Sequence, residues 1–142
     1  MRHFLLVALF ALFTMPAVAS DDDYELADLL VKRGWFDLAE DLFRKIQKDS
    51  SLPREKRSEA EYGLARVNLV KAERERVPAK KVEKCDAAIK AIQEFGDGNR
   101  NHPRRAEALA DIGDLRQIKG KALVLLSKSD PDALDRAETE FD

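Results

Sequence analysis

From Tyr24 onward, apolar residues return every third or fourth position, and nowhere do apolar and polar residues alternate for long. That is the rhythm of helices burying one stripe rather than of strands. Val, Ile and Thr are sparse while Ala, Leu, Glu, Lys and Arg are common, which favours the same state. Breakers then predict six helices. The first spans about Tyr24 to Arg33 and stops at Gly34, a residue suited to the left-handed position past a helix end. The second spans about Phe36 to Lys48 and is broken by Asp49-Ser50-Ser51-Leu52-Pro53. The third runs from about Arg54 to Arg76, because Pro78 disfavours helix at Val77. The fourth runs from about Ala79 to Phe95 and ends in a turn at Gly96-Asp97-Gly98-Asn99. The fifth opens at His102-Pro103 and continues to about Ser127, with Gly120 marking either a kink or a division into two pieces. Ser129-Asp130-Pro131 starts the sixth, which runs to Asp142.

The second, fourth and sixth helices share one spacing. It reads Asp37, Ala39, Phe43, Ile46, then Asp86, Ala88, Ile92, Phe95, then Asp135, Ala137, Phe141. Both steps, Ala39 to Ala88 and Ala88 to Ala137, are 49 residues. Positions i, i+4 and i+7 lie on one helix face, so the alanine and the large residues point together. The alanine admits a neighbouring helix at close range and the large residue fills the space one turn on. A two-helix hairpin cannot cover such a stripe alone, so a fixed period of this kind predicts stacked helical hairpins. The sixth helix would reach its next large position beyond Asp142, which predicts either a longer array or self-association through this helix.

The first nineteen residues stand apart. Arg2 gives a positive start, Phe4 to Phe13 is an unbroken apolar run, and Ala17-Val18-Ala19 is a small-x-small cleavage site before Asp21-Asp22-Asp23. This is the order of a secretory signal peptide, and it predicts an exported protein, periplasmic or secreted. The stretch Phe4 to Ala19 is shorter than the roughly 20 residues of a spanning helix, so no membrane insertion is expected after cleavage. The acidic run would then lie near a flexible mature terminus. Of the 142 residues, 37% are charged, and the formal charge of −2 becomes −3 once Arg2 is removed with the leader. Lys and Arg are dispersed among nearly equal acids, which argues against a nucleic-acid partner. Cys85 is the lone cysteine, so no internal disulfide forms, and it reads as a small helix residue.

Residues 21–51 resemble a unit of the tetratricopeptide repeat family. Leu26-Ala27, Leu30, Gly34-x-Phe36, Ala39, Phe43 and Ile46 match in register, with a closing proline two residues late at Pro53. Leu64-Ala65 and Leu109-Ala110 resemble the leucine-small pairs of further units at about 54–99 and 103–142, whose hairpins are longer and lack the Gly-x-aromatic turn. The resemblance implies an all-α fold, a right-handed stack of antiparallel helix hairpins (a tetratricopeptide-like α-solenoid) with about six helices in three units. It also implies a concave groove lined by the first helix of each unit. Carried over by position, the groove residues would be Tyr24, Asp28, Val31 and Lys32, then Tyr62, Arg66, Leu69 and Val70, then Glu107, Asp111 and Asp114. Tyr24 and Tyr62 fall at the same family position, and an exposed tyrosine pair would offer large contact area at small entropic cost.

Catalytic patterns are missing. His102 is the single histidine beyond the leader, and with one cysteine it cannot complete a zinc site within the chain. No nucleophile elbow, phosphate-binding loop or dinucleotide fingerprint occurs. Gly96-Asp97-Gly98-Asn99 lacks the spaced acids of a calcium loop, and Glu59 and Glu61 read as part of a solvated helix face. The expectation is therefore a non-enzyme without cofactor or metal. It is an exported interaction module or scaffold that binds a protein or peptide partner of unknown identity. The alternatives are a structural segment of a longer exported repeat protein and a small exported enzyme with an unrecognised site.

Overall fold

The computed structural model describes residues 21–141, and the leader expected at residues 1–19 lies outside them. The chain is all-α, with no strand among the described residues. Its helices are α1 (Asp21–Arg33), α2 (Phe36–Lys48), α3 (Arg54–Arg74), α4 (Pro78–Gly98), α5 (Arg105–Leu126) and α6 (Asp132–Phe141).

Most boundaries follow the expected breakers, and the departures have local causes. α1 begins at Asp21 rather than Tyr24. The acidic run is thus helical instead of a loose terminus, with Asp22 and Asp23 in the first turn, where negative charge suits the helix dipole. α1 ends where Gly34 adopts φ 82°. The Gly34 N–H bonds to the Val31 carbonyl and that of Trp35 to the Leu30 carbonyl, both at 2.9 Å, the paired closure of a Schellman motif. α3 stops at Arg74 because Glu75 turns extended and its carboxylate accepts the N–H groups of Arg76 and Val77 at 2.9 and 3.1 Å. A hydrogen bond from Lys84, together with those two backbone donors, holds the Glu75 carboxyl down at about pKa 2. The turn expected at Gly96–Asn99 is instead the last turn of α4, closed at Asn99 by its backbone and side-chain nitrogens bonding to the Phe95 carbonyl.

Consecutive helices pack on one another from α1 to α6, with further approaches between α1 and α3 and between α3 and α5. One apolar cluster joins α1, α2 and α3 around Phe43, Ile46 and Val67. A second joins α3, α4 and α5 around Tyr62, Ile92, Phe95 and Leu115, and takes in the thiol of Cys85. Burial pushes that thiol up to about pKa 11, so it stays protonated and inert. A third, smaller cluster sits between α5 and α6 at Leu123, Ala133 and Ala137. The repeated alanines Ala39, Ala88 and Ala137 are all buried, as are Phe43, Ile46, Ile92 and Phe95. Phe141 breaks the pattern, being 53% exposed.

Two glycines show how the aromatic positions are seated. A Cβ built on Gly63 would lie 2.5 Å from the Phe43 ring, and one on Gly120 would lie 2.5 Å from the Phe141 ring. α5 is one continuous helix through Gly120 and is not divided there; the glycine leaves room for Phe141. Gly113, in the same helix, has open space around it. Gly63→Ala is expected to destabilise, because overpacking at about 1–3 kcal/mol outweighs a helix-propensity gain of about 1 kcal/mol. Gly113→Ala is expected to stabilise by about 0.5–1 kcal/mol. Denaturant unfolding of the two variants checks this, and equal shifts of the same sign would contradict the packing.

Candidate functional site

On α1, Tyr24, Asp28, Val31 and Lys32 share a face, and on α3 so do Gly63, Arg66, Val70 and Arg74. Where the two helices approach, these faces border a cleft of about 270 Å³ with the Phe43 ring in its wall. Phe43 meets the Tyr24 ring edge-on at 5.3 Å, so the stripe that packs α2 also shapes the cleft. Lys32 pairs with Asp28 at 2.5 Å. Arg74 donates to the Lys32 carbonyl at 2.9 Å and lies over the Phe36 ring at 5.4 Å, while Lys71 pairs with Glu40 across α2 and α3.

Six of the groove residues expected from the sequence, Tyr24, Asp28, Val31, Lys32, Arg66 and Val70, thus come together. Tyr62 and Leu69 do not join them. Tyr62 is only 1% exposed, stacks on Phe95 at 5.0 Å, and donates its hydroxyl proton to Asp111 at 2.7 Å. The expected exposed tyrosine pair is therefore one partly exposed tyrosine and one core tyrosine with a satisfied hydroxyl. Leu69 is likewise buried in the α3–α4–α5 cluster.

Toward α5 the same side of the molecule becomes acidic. Asp111 is partly buried, and burial pushes its carboxyl above the usual range, helped by Glu107 and Asp114 and opposed by the Tyr62 hydrogen bond and Arg66. Arg104, just before α5, bonds to Glu107 at 2.8 Å and reaches Glu59 of α3 at 3.4 Å. Glu59 and Glu61, expected on a solvated face, are each engaged, Glu61 by the Asn99 amide at 3.3 Å. His102 sets the entry to α5: its Nδ1 accepts the Arg104 N–H at 3.1 Å and its ring meets Phe95 edge-on at 5.2 Å.

Sequence reasoning missed Arg74, Phe43, Glu59 and Arg104 at this face. Arg66 and Val70 were implied by the tetratricopeptide resemblance, and helix spacing extends that row to Arg74, since 66, 70 and 74 step by four on one helix. Arg104 and Glu59 were not, because their pairing joins residues 45 positions apart.

Tyr24 and Tyr62 are the chain's two tyrosines. Burial, with Glu59 adding to it, pushes Tyr24 up to about pKa 12, and burial with the Asp111 hydrogen bond raises Tyr62 as well. The neutral phenols belong to the folded state, so their contribution is full below the ordinary value of about 10 and is lost as pH climbs through the folded values. At about pH 10, ultraviolet phenolate absorbance is expected to stay near baseline in the folded protein and reach half in denaturant. Half-ionisation in both would contradict the burial of Tyr62.

No group of His, Cys, Asp and Glu among the described residues is placed to hold a metal ion. No helix among them is long and apolar enough to cross a membrane. No protein-family model, curated protein or solved structure matches the chain.

Proposed function

We propose that this chain is an exported tetratricopeptide-like scaffold, a right-handed stack of three antiparallel hairpins that binds a segment of another protein along the face of α1, α3 and α5. One observation carries the reading. The first helices of the three hairpins approach one another, α1 with α3 and α3 with α5, and their polar side chains share one electrostatic neighbourhood. Tyr24 feels Glu59, Arg104, Asp28 and Arg66, and Asp111 feels Arg66 and Glu107. The second helices of the first two hairpins, α2 and α4, instead send their alanine and large apolar residues inward. A polar face over an apolar floor, with its charges already partly paired, suits a reversible protein contact. The leader motif supports export and gives a mature chain beginning at Ser20. Amino-terminal sequencing of native protein still carrying Met1 would contradict that part.

The binding face is tested by a photo-crosslinking residue at Lys32 and, as a control, at Lys90 of α4. Their side chains are similarly exposed, at 71% and 77%. In cells producing the protein, position 32 is expected to trap a discrete partner and position 90 is not. Equal trapping at both, or trapping at 90 alone, would contradict the reading.

A further inference from the structure

We infer that the outer side of the α5–α6 hairpin, turned away from α4, is a self-complementary surface on which a second copy of this chain docks about a two-fold axis. The inference does not depend on the partner-binding reading. Packing fixes which side this is. Lys119 of α5 reaches Asp86 of α4 at 2.7 Å and Glu140 of α6 at 2.6 Å, so these side chains mark the flank facing α4. Gly120 lies about 100° further round α5, on the other flank, and the Phe141 ring sits against it. One turn beyond Gly120 stands Val124, and two turns before Phe141 stands Leu134. Since α6 runs back along α5, Val124, Leu134 and Phe141 border one apolar furrow over Gly120. They are 43%, 47% and 53% exposed, so nothing among the described residues covers the furrow.

Charge argues for a second copy rather than an unrelated partner. From Leu115 to Lys128 every charged residue is basic: Arg116, Lys119, Lys121 and Lys128. From Ser129 to Phe141 the acids Asp130, Asp132, Asp135, Glu138 and Glu140 stand against Arg136 alone. Between the two helices this segregation is used once, by Lys119 and Glu140, while Arg136 turns back to Asp130. Arg116, Lys121, Lys128, Asp132, Asp135 and Glu138 are exposed and in no ion pair among the described residues. Helix spacing sets Lys121 and Lys128 beyond Val124, on the edge away from α6. It sets Glu138 and Asp135 beyond Leu134, on the edge away from α5. An apolar strip with one basic and one acidic edge is its own complement. A two-fold axis along the furrow lays α5 on the second copy's α6 and opposes cations to acids at both edges. A wholly acidic or wholly basic segment would meet like charge at one edge. Size sets the strength: a 10-residue α6 is about 15 Å long and two helices are about 20 Å wide, so each copy offers about 300 Å². That is about half of what a stable interface needs, so the dimer is weak, with half-formation at roughly 0.1 mM.

The test is sedimentation equilibrium of the mature protein from about 10 µM to about 1 mM, with two charge-reversed variants. One carries Lys121→Glu and Lys128→Glu, the other Asp135→Lys and Glu138→Lys; all four positions are exposed, and circular dichroism checks that helix content is kept. The unaltered protein is expected to dimerise reversibly. Each variant alone opposes like charges at both edges and should dimerise about ten-fold more weakly. An equimolar mixture of the two again opposes cations to acids at both edges and should recover the dimer. If a variant unfolds, the unaltered protein still decides, because its dimer should weaken several-fold as salt is raised toward about 1 M. A monomer throughout, or a dimer that both variants and salt leave unchanged, would overturn the inference. Loss that mixing does not restore would overturn the two-fold in favour of head-to-tail docking, for which Leu26, Leu29 and Leu38 of the first hairpin are exposed.

Discussion

Phe43→Ala is expected to lower the unfolding free energy by about 3–5 kcal/mol, much of the stability of an ordinary small domain. Phe43 is 2% exposed, so truncation loses both the transfer free energy of the ring and the contacts around the void it leaves. The site cannot collapse easily, because Gly63 has no side chain to move in and Tyr24 touches the ring only edge-on. The same ring forms part of the cleft wall, so the variant should also weaken partner crosslinking from Lys32. Denaturant unfolding checks the first effect, and a loss below about 1 kcal/mol would mean that α2 does not dock on α3 as described.

Phe95→Ala is expected to cost a similar amount, about 3–5 kcal/mol, for a different structural reason. Phe95 is fully buried where α4 turns toward α5, stacked on Tyr62 and met edge-on by His102. Its removal loosens Tyr62, whose hydroxyl is the hydrogen-bond donor to Asp111. The variant should therefore bring phenolate ionisation down toward about pH 10, an effect that simple loss of apolar area would not produce. Phe141→Ala is the control: its ring also covers a glycine but is half exposed, and the expected cost is about 1–1.5 kcal/mol. Equal costs for Phe95 and Phe141 would show that the third hairpin packs as fully as the first two.

The features legible in the sequence are those that repeat along one helix or belong to one residue. Ala39, Ala88 and Ala137 could be read as buried because a period projects directly onto a helix face. Gly34 could be read as a stop because a backbone at φ 82° strains other residues. Tyr24, Asp28, Val31 and Lys32, implied by the tetratricopeptide resemblance, come together because steps of three and four residues put them on one side of α1. What escaped depends on partners far along the chain. Tyr62 looks like a surface residue until Asp111, 49 positions away, satisfies its hydroxyl. Gly63 looks like an ordinary helix interruption until Phe43 is placed against it. The extension of α4 through Gly96 and Gly98 went against propensity, each glycine costing about 1 kcal/mol, and was held by the Asn99 bonds to Phe95.

The proposed partner surface is built from α1, α3 and α5 together. Hydrogen exchange tests it most directly, comparing the protein alone with the protein bound to the segment trapped from position 32. Slowed exchange is expected along α1, α3 and the first turns of α5, with α2, α4 and α6 unchanged. Protection concentrated on α2, α4 and α6 would contradict it.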